Sequence, residues 1–263
     1  LAISGGIDSQ AMLQCFIENK IDFDAYVCKF NDNLNSHDVE FARFIANTNN
    51  IKLKEIDFNI INFLVRENYD IGIKYQSASP HFNTHYKFYD ILFDLGHTGV
   101  CAGGNAPECI NDEYGVNFDR NPLTYIKYST ISQKVCHGNF LGYHPKLSWA
   151  ISLLTQPVYV DYNPARQDAE VKDKISELKY IHRLNGYHKA GLNVVRQKQK
   201  YTGFEKVKKY FESKTGNGWE FEQRFRHPLE NLFFRNALFK FSFVNDLQES
   251  ILKIHRENFT STI

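Results

Sequence analysis

Over the first hundred residues, short apolar runs alternate with longer stretches whose apolar residues recur every three or four positions. Leu1-Ala2-Ile3 and residues 23–30 (FDAYVCKF) are apolar runs suited to buried strands. Residues 51–58 predict a third strand, with Ile51, Leu53, Glu55 and Asp57 on one parity and Lys52, Lys54, Ile56 and Phe58 on the other. Between these runs, residues 10–19 place Met12, Leu13, Phe16 and Ile17 on one helical face. Residues 37–49 do the same with Val39, Phe41, Ala42, Ile45 and Ala46, behind a loop in which Asn35 or Ser36 can cap. Residues 59–75 predict helix, Ser79-Pro80 a break, and residues 83–95 a further helix closed by Gly96. Residues 98–102 (TGVCA) then form a short strand that runs into Gly103-Gly104-Asn105.

Strands separated by helices predict an α/β fold, with a parallel sheet covered by helices on both faces. Ligands of such sheets bind at the carboxyl ends of the strands, where both glycine turns fall. After about residue 120 the pattern changes: Pro122, Pro145, Pro157 and Pro164 interrupt it. Helical periodicity then dominates, over residues 145–154, 165–184, 203–213, 229–241 and 245–256. The expected organisation is an α/β domain over residues 1–140 and a mostly helical region over 141–263.

Composition narrows the class. The chain has 263 residues, 43% hydrophobic and 23% charged, which are ordinary globular values. A net charge of +1 gives no global field for nucleic acid or an anionic membrane. The aromatic share of 15% predicts an aromatic-rich core. Cys15, Cys28, Cys101, Cys109 and Cys136 are odd in number and show no C-x-x-C pair, so reduced thiols and a cytoplasmic chain are expected. No apolar run reaches the ~18–20 residues that span a bilayer, and no signal peptide is evident. Leu1 opens inside a strand without an initiating Met, which leaves room for upstream strand residues or a domain.

The chemistry concentrates in Ser4-Gly5-Gly6-Ile7-Asp8-Ser9, between the first strand and the first helix. Two glycines allow a tight turn and close approach of a ligand to the backbone. Serine hydroxyls and the amides of the new helix start face the same space, an arrangement that suits phosphate oxygens. These six residues resemble the SGGxDS signature of the PP-loop enzymes, the N-type ATP pyrophosphatases. The Walker-type loop is excluded because no Gly-Lys-Ser/Thr follows.

The resemblance implies a PP-loop, Rossmann-like fold that binds ATP, with Ser4, Gly5, Gly6, Asp8 and Ser9 on the phosphates that leave as pyrophosphate. It also implies Mg²⁺ on Asp8, since a carboxylate beside polyphosphate needs a cation between them. Phe30, at the end of the second strand, falls where the family places adenine, and sheet core is the competing reading for it. Gly103 and Gly104 correspond to the family's second turn, and Glu108 to an acidic residue after it that would act on substrate or metal. Pro107 departs from the aspartate of the asparagine-synthetase version, while Gly103-Gly104-Asn105-Ala106 is similar to the G-x-N-A turn of the queuosine-pathway enzymes. Glu222-Gln223-Arg224 with Pro228-Leu229-Glu230 is faintly similar to a further asparagine-synthetase stretch. The clear resemblance covers residues 1–108.

The implied activity is that of an ATP-dependent ligase, in the asparagine-synthetase-like branch. A substrate carboxylate or amide is adenylated, pyrophosphate leaves, and an amine or ammonia attacks. The partners are a small-molecule acceptor and a glutaminase domain or subunit as ammonia source. A sulfur transferase on the same fold and a non-catalytic nucleotide-binding module are the alternatives. Arg196, Lys198, Lys200, Lys206, Lys208 and Lys209 read first as a solvated face, then as a lid over ATP, and last as an RNA contact. His81 and His85 have metal-ligand spacing without an evident third ligand.

Overall fold

The computed structural model describes residues 1–103, 108–109, 116–117, 121–138, 180–181, 183–196, 204–215 and 225; of these, 108–109, 116–117, 121–124 and 215 are described as backbone alone. The helices predicted over 145–154, 229–241 and 245–256, most of that over 165–184, and the stretch 222–230 lie outside these residues.

The chain is α/β. Helix α1 (Ile7–Glu18) follows the N-terminal segment, then β1 (Ala25–Phe30), α2 (Ser36–Thr48) and β2 (Leu53–Phe58). Helices α3 (Ile60–Arg66), α4 (Asn68–Tyr75) and α5 (Pro80–Asp94) lead to β3 (Gly99–Cys101). The short strands β4 (Glu108–Cys109) and β5 (Val116–Asn117) pair antiparallel, and α6 (Asn121–Ser132) and β6 (Val135–His137) follow. A short 3-10 helix at Asn31–Asn33, a helix over Glu205–Thr215 and a helical stretch at 183–189 are also described.

β1 pairs parallel with β2 and β3 pairs parallel with β6. The N-terminal segment joins the two pairs: Ala2 bridges in parallel to both Tyr26 and Ala102. Ile3 N donates to Tyr26 O, Tyr26 N to Leu1 O and Ala2 N to Cys101 O, each at 2.8 Å. The lateral order is therefore β2, β1, the N-terminal segment, β3, β6.

Successive strand residues point to opposite faces, and two cores result. Ile3, Ala25 and Val27 pack with Leu13 of α1 and Val39, Ala42 and Ile45 of α2. Ala2, Tyr26, Phe58 and Val100 pack on the other side with Tyr86 and Leu92 of α5 and Tyr128 of α6. Among the described residues most aromatics go into this second layer, where Tyr75, Tyr86 and Tyr128 are fully buried and their ring centroids lie 4.6–5.3 Å apart. Val207 and Phe211 of the Glu205–Thr215 helix, and Phe225, join the same core.

The elements differ from the sequence reading in instructive places. The stretch 59–75 is two helices that break at Glu67. α5 begins at Pro80, three residues early, because proline with its fixed φ is at home in a helix's first turn. α6 takes in Pro122 for the same reason. β6 was not predicted, since three residues, Val-Cys-His, carry no periodicity to read. The helical stretch after Tyr180 runs on to residue 189, beyond the predicted end at 184.

Candidate functional site

The N-terminal segment ends at the first glycine turn, and two facts of packing require Gly5. Its φ is +74°, and a Cβ there would lie 2.9 Å from Ala42 N and 3.2 Å from Asp38 O of α2. Gly6 is different: it is the residue before α1, with φ −63° and ψ 158°, and an added Cβ would meet only Ser4 Oγ at 3.5 Å. No side-chain hydrogen bond caps α1 at Gly6, and among the described residues no acceptor is seen for the amides of its first turn. Ser4 Oγ lies 3.0 Å from Ser9 Oγ, which also accepts from Ser4 N at 3.3 Å. Ser4 is exposed and Ser9 buried, so the pair runs from the surface down to the helix start.

The second glycine turn lies directly against the first. A Cβ on Gly103 would sit 2.6–2.7 Å from Asp8 C, Asp8 O and Ser9 N, so only glycine fits at that backbone-to-backbone approach. The structure thus brings Ser4, Gly5, Gly6, Asp8, Ser9 and Gly103 together where the N-terminal segment and β3 end. Gly104 lies outside the described residues, and Glu108 is described only as backbone, paired with Asn117.

Asp8 stands in the first turn of α1, where a carboxylate complements the helix dipole. It does not cap its own helix. Arg183 Nη1 donates to Asp8 Oδ2 at 2.9 Å, and Tyr187 donates its hydroxyl to Oδ1 at 2.6 Å. The Arg183 side chain is 6% exposed and that of Asp8 16%. Burial and the Asp8 charge push the Tyr187 hydroxyl pKa well above its usual value, so it stays protonated as a donor.

No protein-family model and no curated protein matches the chain. What the site can do must therefore come from its own chemistry.

The segment that supplies Arg183 is anchored to α1. Gln10 Nε2 donates to Gly5 O at 3.0 Å and Val195 O at 2.9 Å, while Val195 N donates to Gln10 Oε1 at 2.7 Å. One turn later Gln14 exchanges a matching pair of bonds with Asn193, at 2.6 and 2.7 Å. Two glutamines four apart on a helix thus hold two alternate residues of an extended strand-like segment. Ile7 and Ala11 pack beneath them with Tyr180, Tyr187 and Val194.

Phe30 sits in the core rather than on an open surface. It is 6% exposed, with ring centroids 6.1 Å from Phe58 and 5.7 Å from Phe204. Asn35 precedes α2 but its side chain does not cap it; Oδ1 accepts from Phe30 N and Nδ2 donates to Cys28 O, fixing the end of β1. Asp38 lies beside Gly5, with His37 Nε2 3.6 Å from its carboxylate. Burial, and then the charge of Glu205, push its pKa up to about 7.

His85 Nδ1 lies 2.8 Å from the Tyr125 hydroxyl, and the His81 ring packs on His85 and Phe204. Burial lowers the pKa of His81 to about 4 and that of His85 to about 3, so both are neutral. No cluster of three or more potential metal-binding side chains occurs among the described residues. Of the basic stretch, Lys206 donates to Ser36 Oγ at 3.0 Å, Lys208 lies 3.8 Å from Glu212, and Arg196 lies over the Tyr180 ring. Lys198 and Lys200 are outside the described residues. Among the described residues no helix is long and apolar enough to cross a membrane.

Arg183, Tyr187, Gln10 and Gln14 are the site residues that the sequence reading passed over. The spacing of Tyr180, Arg183, Leu184 and Tyr187 on one helical face was a usable signal. So was a pair of glutamines, four apart, inside a helix that is otherwise apolar on that side.

Proposed function

We propose that this chain is an ATP-dependent ligase of the PP-loop type, which adenylates a carboxylate or amide with release of pyrophosphate before an amine or ammonia attacks. One observation carries this reading: Gly103 rests on the Asp8–Ser9 backbone at the strand ends where the lateral order reverses. In doubly wound, Rossmann-like sheets that reversal is where ligands bind. Here it coincides with an SGGxDS turn and an uncapped helix start.

The division of labour follows from the residues. The amides of the first turn of α1 and the hydroxyls of Ser4 and Ser9 hold the phosphates that leave, so charge developing on pyrophosphate meets fixed donors. Gly6 leaves the approach open. Gly103 fixes the second turn so that an acceptor reaches the α-phosphorus from the β3 side. Mg²⁺ needs only one or two carboxylates plus phosphate oxygens, and Asp8 with Ser9 meets that requirement; the ion when bound would neutralise the polyphosphate. Gly104 and Glu108 belong to the acceptor side in this reading, and a glutaminase domain or subunit would deliver the ammonia.

Among the described residues the thiols speak against sulfur transfer; the Cys109 side chain lies outside them. Burial pushes the pKa of Cys28 and Cys136 well up, and it also raises those of Cys15 and Cys101. A thiol held in that state is a poor nucleophile.

The test is calorimetric titration with ATP, with and without magnesium, followed by pyrophosphate release assayed across a panel of acids and amines. Magnesium-dependent affinity that is lost in Asp8→Ala and Ser9→Ala supports the reading. Affinity indifferent to both substitutions rejects it.

A further inference from the structure

We infer that Arg183 is the cation that meets the pyrophosphate moiety, held on Asp8 until a ligand arrives. This rests on the ATP-binding reading above and adds to it a residue from a distant part of the chain. Arg183 and Tyr187 are four apart on one helical stretch, so they present two donors on one face. Both donors reach the carboxylate at the start of α1, at 2.9 and 2.6 Å. The guanidinium is therefore beside the amides and hydroxyls that would hold phosphate. The glutamine pairs fix residues 193–195 to α1, and with Ile7 and Ala11 they seat the helix that carries Arg183. Only the side chain has to move.

Charge gives the exchange its direction. A polyphosphate at the helix start repels Asp8 and attracts the guanidinium, whose planar fork matches phosphate oxygens in paired hydrogen bonds. When Arg183 turns to phosphate, Oδ2 of Asp8 loses its cation and becomes able to take a metal. The Tyr187 hydroxyl stays on Oδ1 and keeps the carboxylate aimed at the loop. As the pair stands, Arg183 keeps Asp8 from being uncompensated at a site where its side chain is only 16% exposed.

The experiment is calorimetry with inorganic pyrophosphate on the full chain, with and without magnesium. The proteins are the native chain, Arg183→Ala, Arg183→Lys, Asp8→Asn and the Asp8→Asn/Arg183→Ala double variant. Thermal unfolding of each shows that it is folded. The exchange predicts that Arg183→Ala weakens pyrophosphate by about tenfold or more, the range of a charge-assisted hydrogen bond, with Arg183→Lys between. It predicts that Asp8→Asn binds pyrophosphate more tightly than the native chain without metal and no longer responds to magnesium. Arg183→Ala must then cost more in the Asp8→Asn background than in the native one, because the competing carboxylate is gone. A purely structural ion pair gives the opposite result: the double variant binds as Asp8→Asn does, and the inference is overturned. If Arg183→Ala alone does not fold, the comparison of Arg183→Lys in the two backgrounds decides in the same way. Magnesium-dependent binding that is lost in Ser9→Ala but indifferent to Arg183 sinks this inference and spares the ligase reading. No binding by the native chain of ATP or pyrophosphate removes both.

Discussion

Among the described residues, Asp90 and Asp8 each accept from a tyrosine hydroxyl and a cation, and the difference between them separates scaffold from site. Asp90 of α5 lies in the aromatic layer. It accepts from Tyr75 at 2.7 and 2.8 Å, from Tyr128 at 2.8 Å and from Lys74 at 3.1 Å, with Lys134 at 3.9 Å. Every one of these donors comes from residues 74–134, on or beside α4 and α6, which pack on α5 or on each other. Burial is the largest cause raising the hydroxyl pKa of Tyr75, to about 12, and of Tyr128. The neighbouring carboxylate raises both further. Asp8 instead has two donors, both from a stretch some 175 positions away, and it stands beside a glycine turn with no side-chain cap. The first carboxylate ties helices together, while the second can trade partners.

The sharpest way to break this contrast is to make the same change at both. Asp90→Asn places an amide donor against two hydroxyls and a lysine that all need an acceptor. It should cost about 3 kcal/mol in urea unfolding, the range for breaking a buried charged network. Asp8→Asn leaves one hydroxyl and one guanidinium short of a charged acceptor rather than two hydroxyls and a lysine, and should cost less, about 2 kcal/mol. Equal losses at the two positions would mean that Asp8 is as structural as Asp90.

Acid should attack the two regions unequally. His81 and His85 lie in the aromatic layer with folded pKa values of about 4 and about 3, below the ordinary 6.5. Lowered values mean that the folded state binds fewer protons. Their contribution is thus fully present above pH 6.5 and is lost as pH falls through 4 and 3. A loss of several kcal/mol by pH 4 is expected from the two rings together, and His85→Phe should reduce the slope. Asp38 works in the opposite sense: its pKa, raised to about 7, means stability that is present below 3.8 and lost as pH rises to 7. The histidine slope is therefore best measured in an Asp38→Asn background, where a flat profile would show that the two rings are not held neutral.

Gly103→Ala tests the site itself. The added Cβ meets the Asp8–Ser9 backbone at 2.6 Å, so the second turn must move away at a cost of about 1–3 kcal/mol. ATP affinity should fall with it. Gly6→Ala, which meets only Ser4 Oγ at 3.5 Å, should leave stability nearly unchanged. A Gly103→Ala protein as stable as the native chain would mean that the two turns do not rest on each other.

The two regions also differ in how far the sequence discloses them. Strands β1 and β2 and helices α1 and α2 follow from local alternation and 3.6-residue periodicity, and the glycine turns from residues that stand next to one another. The edges went wrong where proline was taken as a stop, at Pro80 and Pro122, although both sit in the first turn of a helix. β6 is too short to show a period and is held by its partner β3. The partners of Asp8 are the harder case. Nothing local to Arg183 or Tyr187 says where their helix will lie; that is decided by the apolar contact of Tyr180, Tyr187 and Val194 with Ile7 and Ala11 across the chain.

That docking is the weakest link and the smallest expected effect, and it shows which region the site depends on. Gln10 is 2% exposed and its amide is fully engaged: two carbonyls accept from Nε2 and one backbone amide donates to Oε1. Gln10→Leu keeps the volume and removes the bonds to Val195. It also leaves Gly5 O without this donor. The global loss should be about 1 kcal/mol, since each neutral hydrogen bond contributes little net. The local effect should be larger in kind. Amide hydrogen exchange at residues 193–196 should speed up while β1 and α2 stay protected, because the segment opens without the sheet. If Arg183 is positioned by this strap, pyrophosphate affinity should fall in Gln10→Leu even though Asp8, Ser9 and Arg183 are intact. Faster exchange with unchanged affinity would show instead that the Ile7, Ala11, Tyr180 and Tyr187 contact alone seats the helix, and the glutamines would then be ornament to a purely apolar dock.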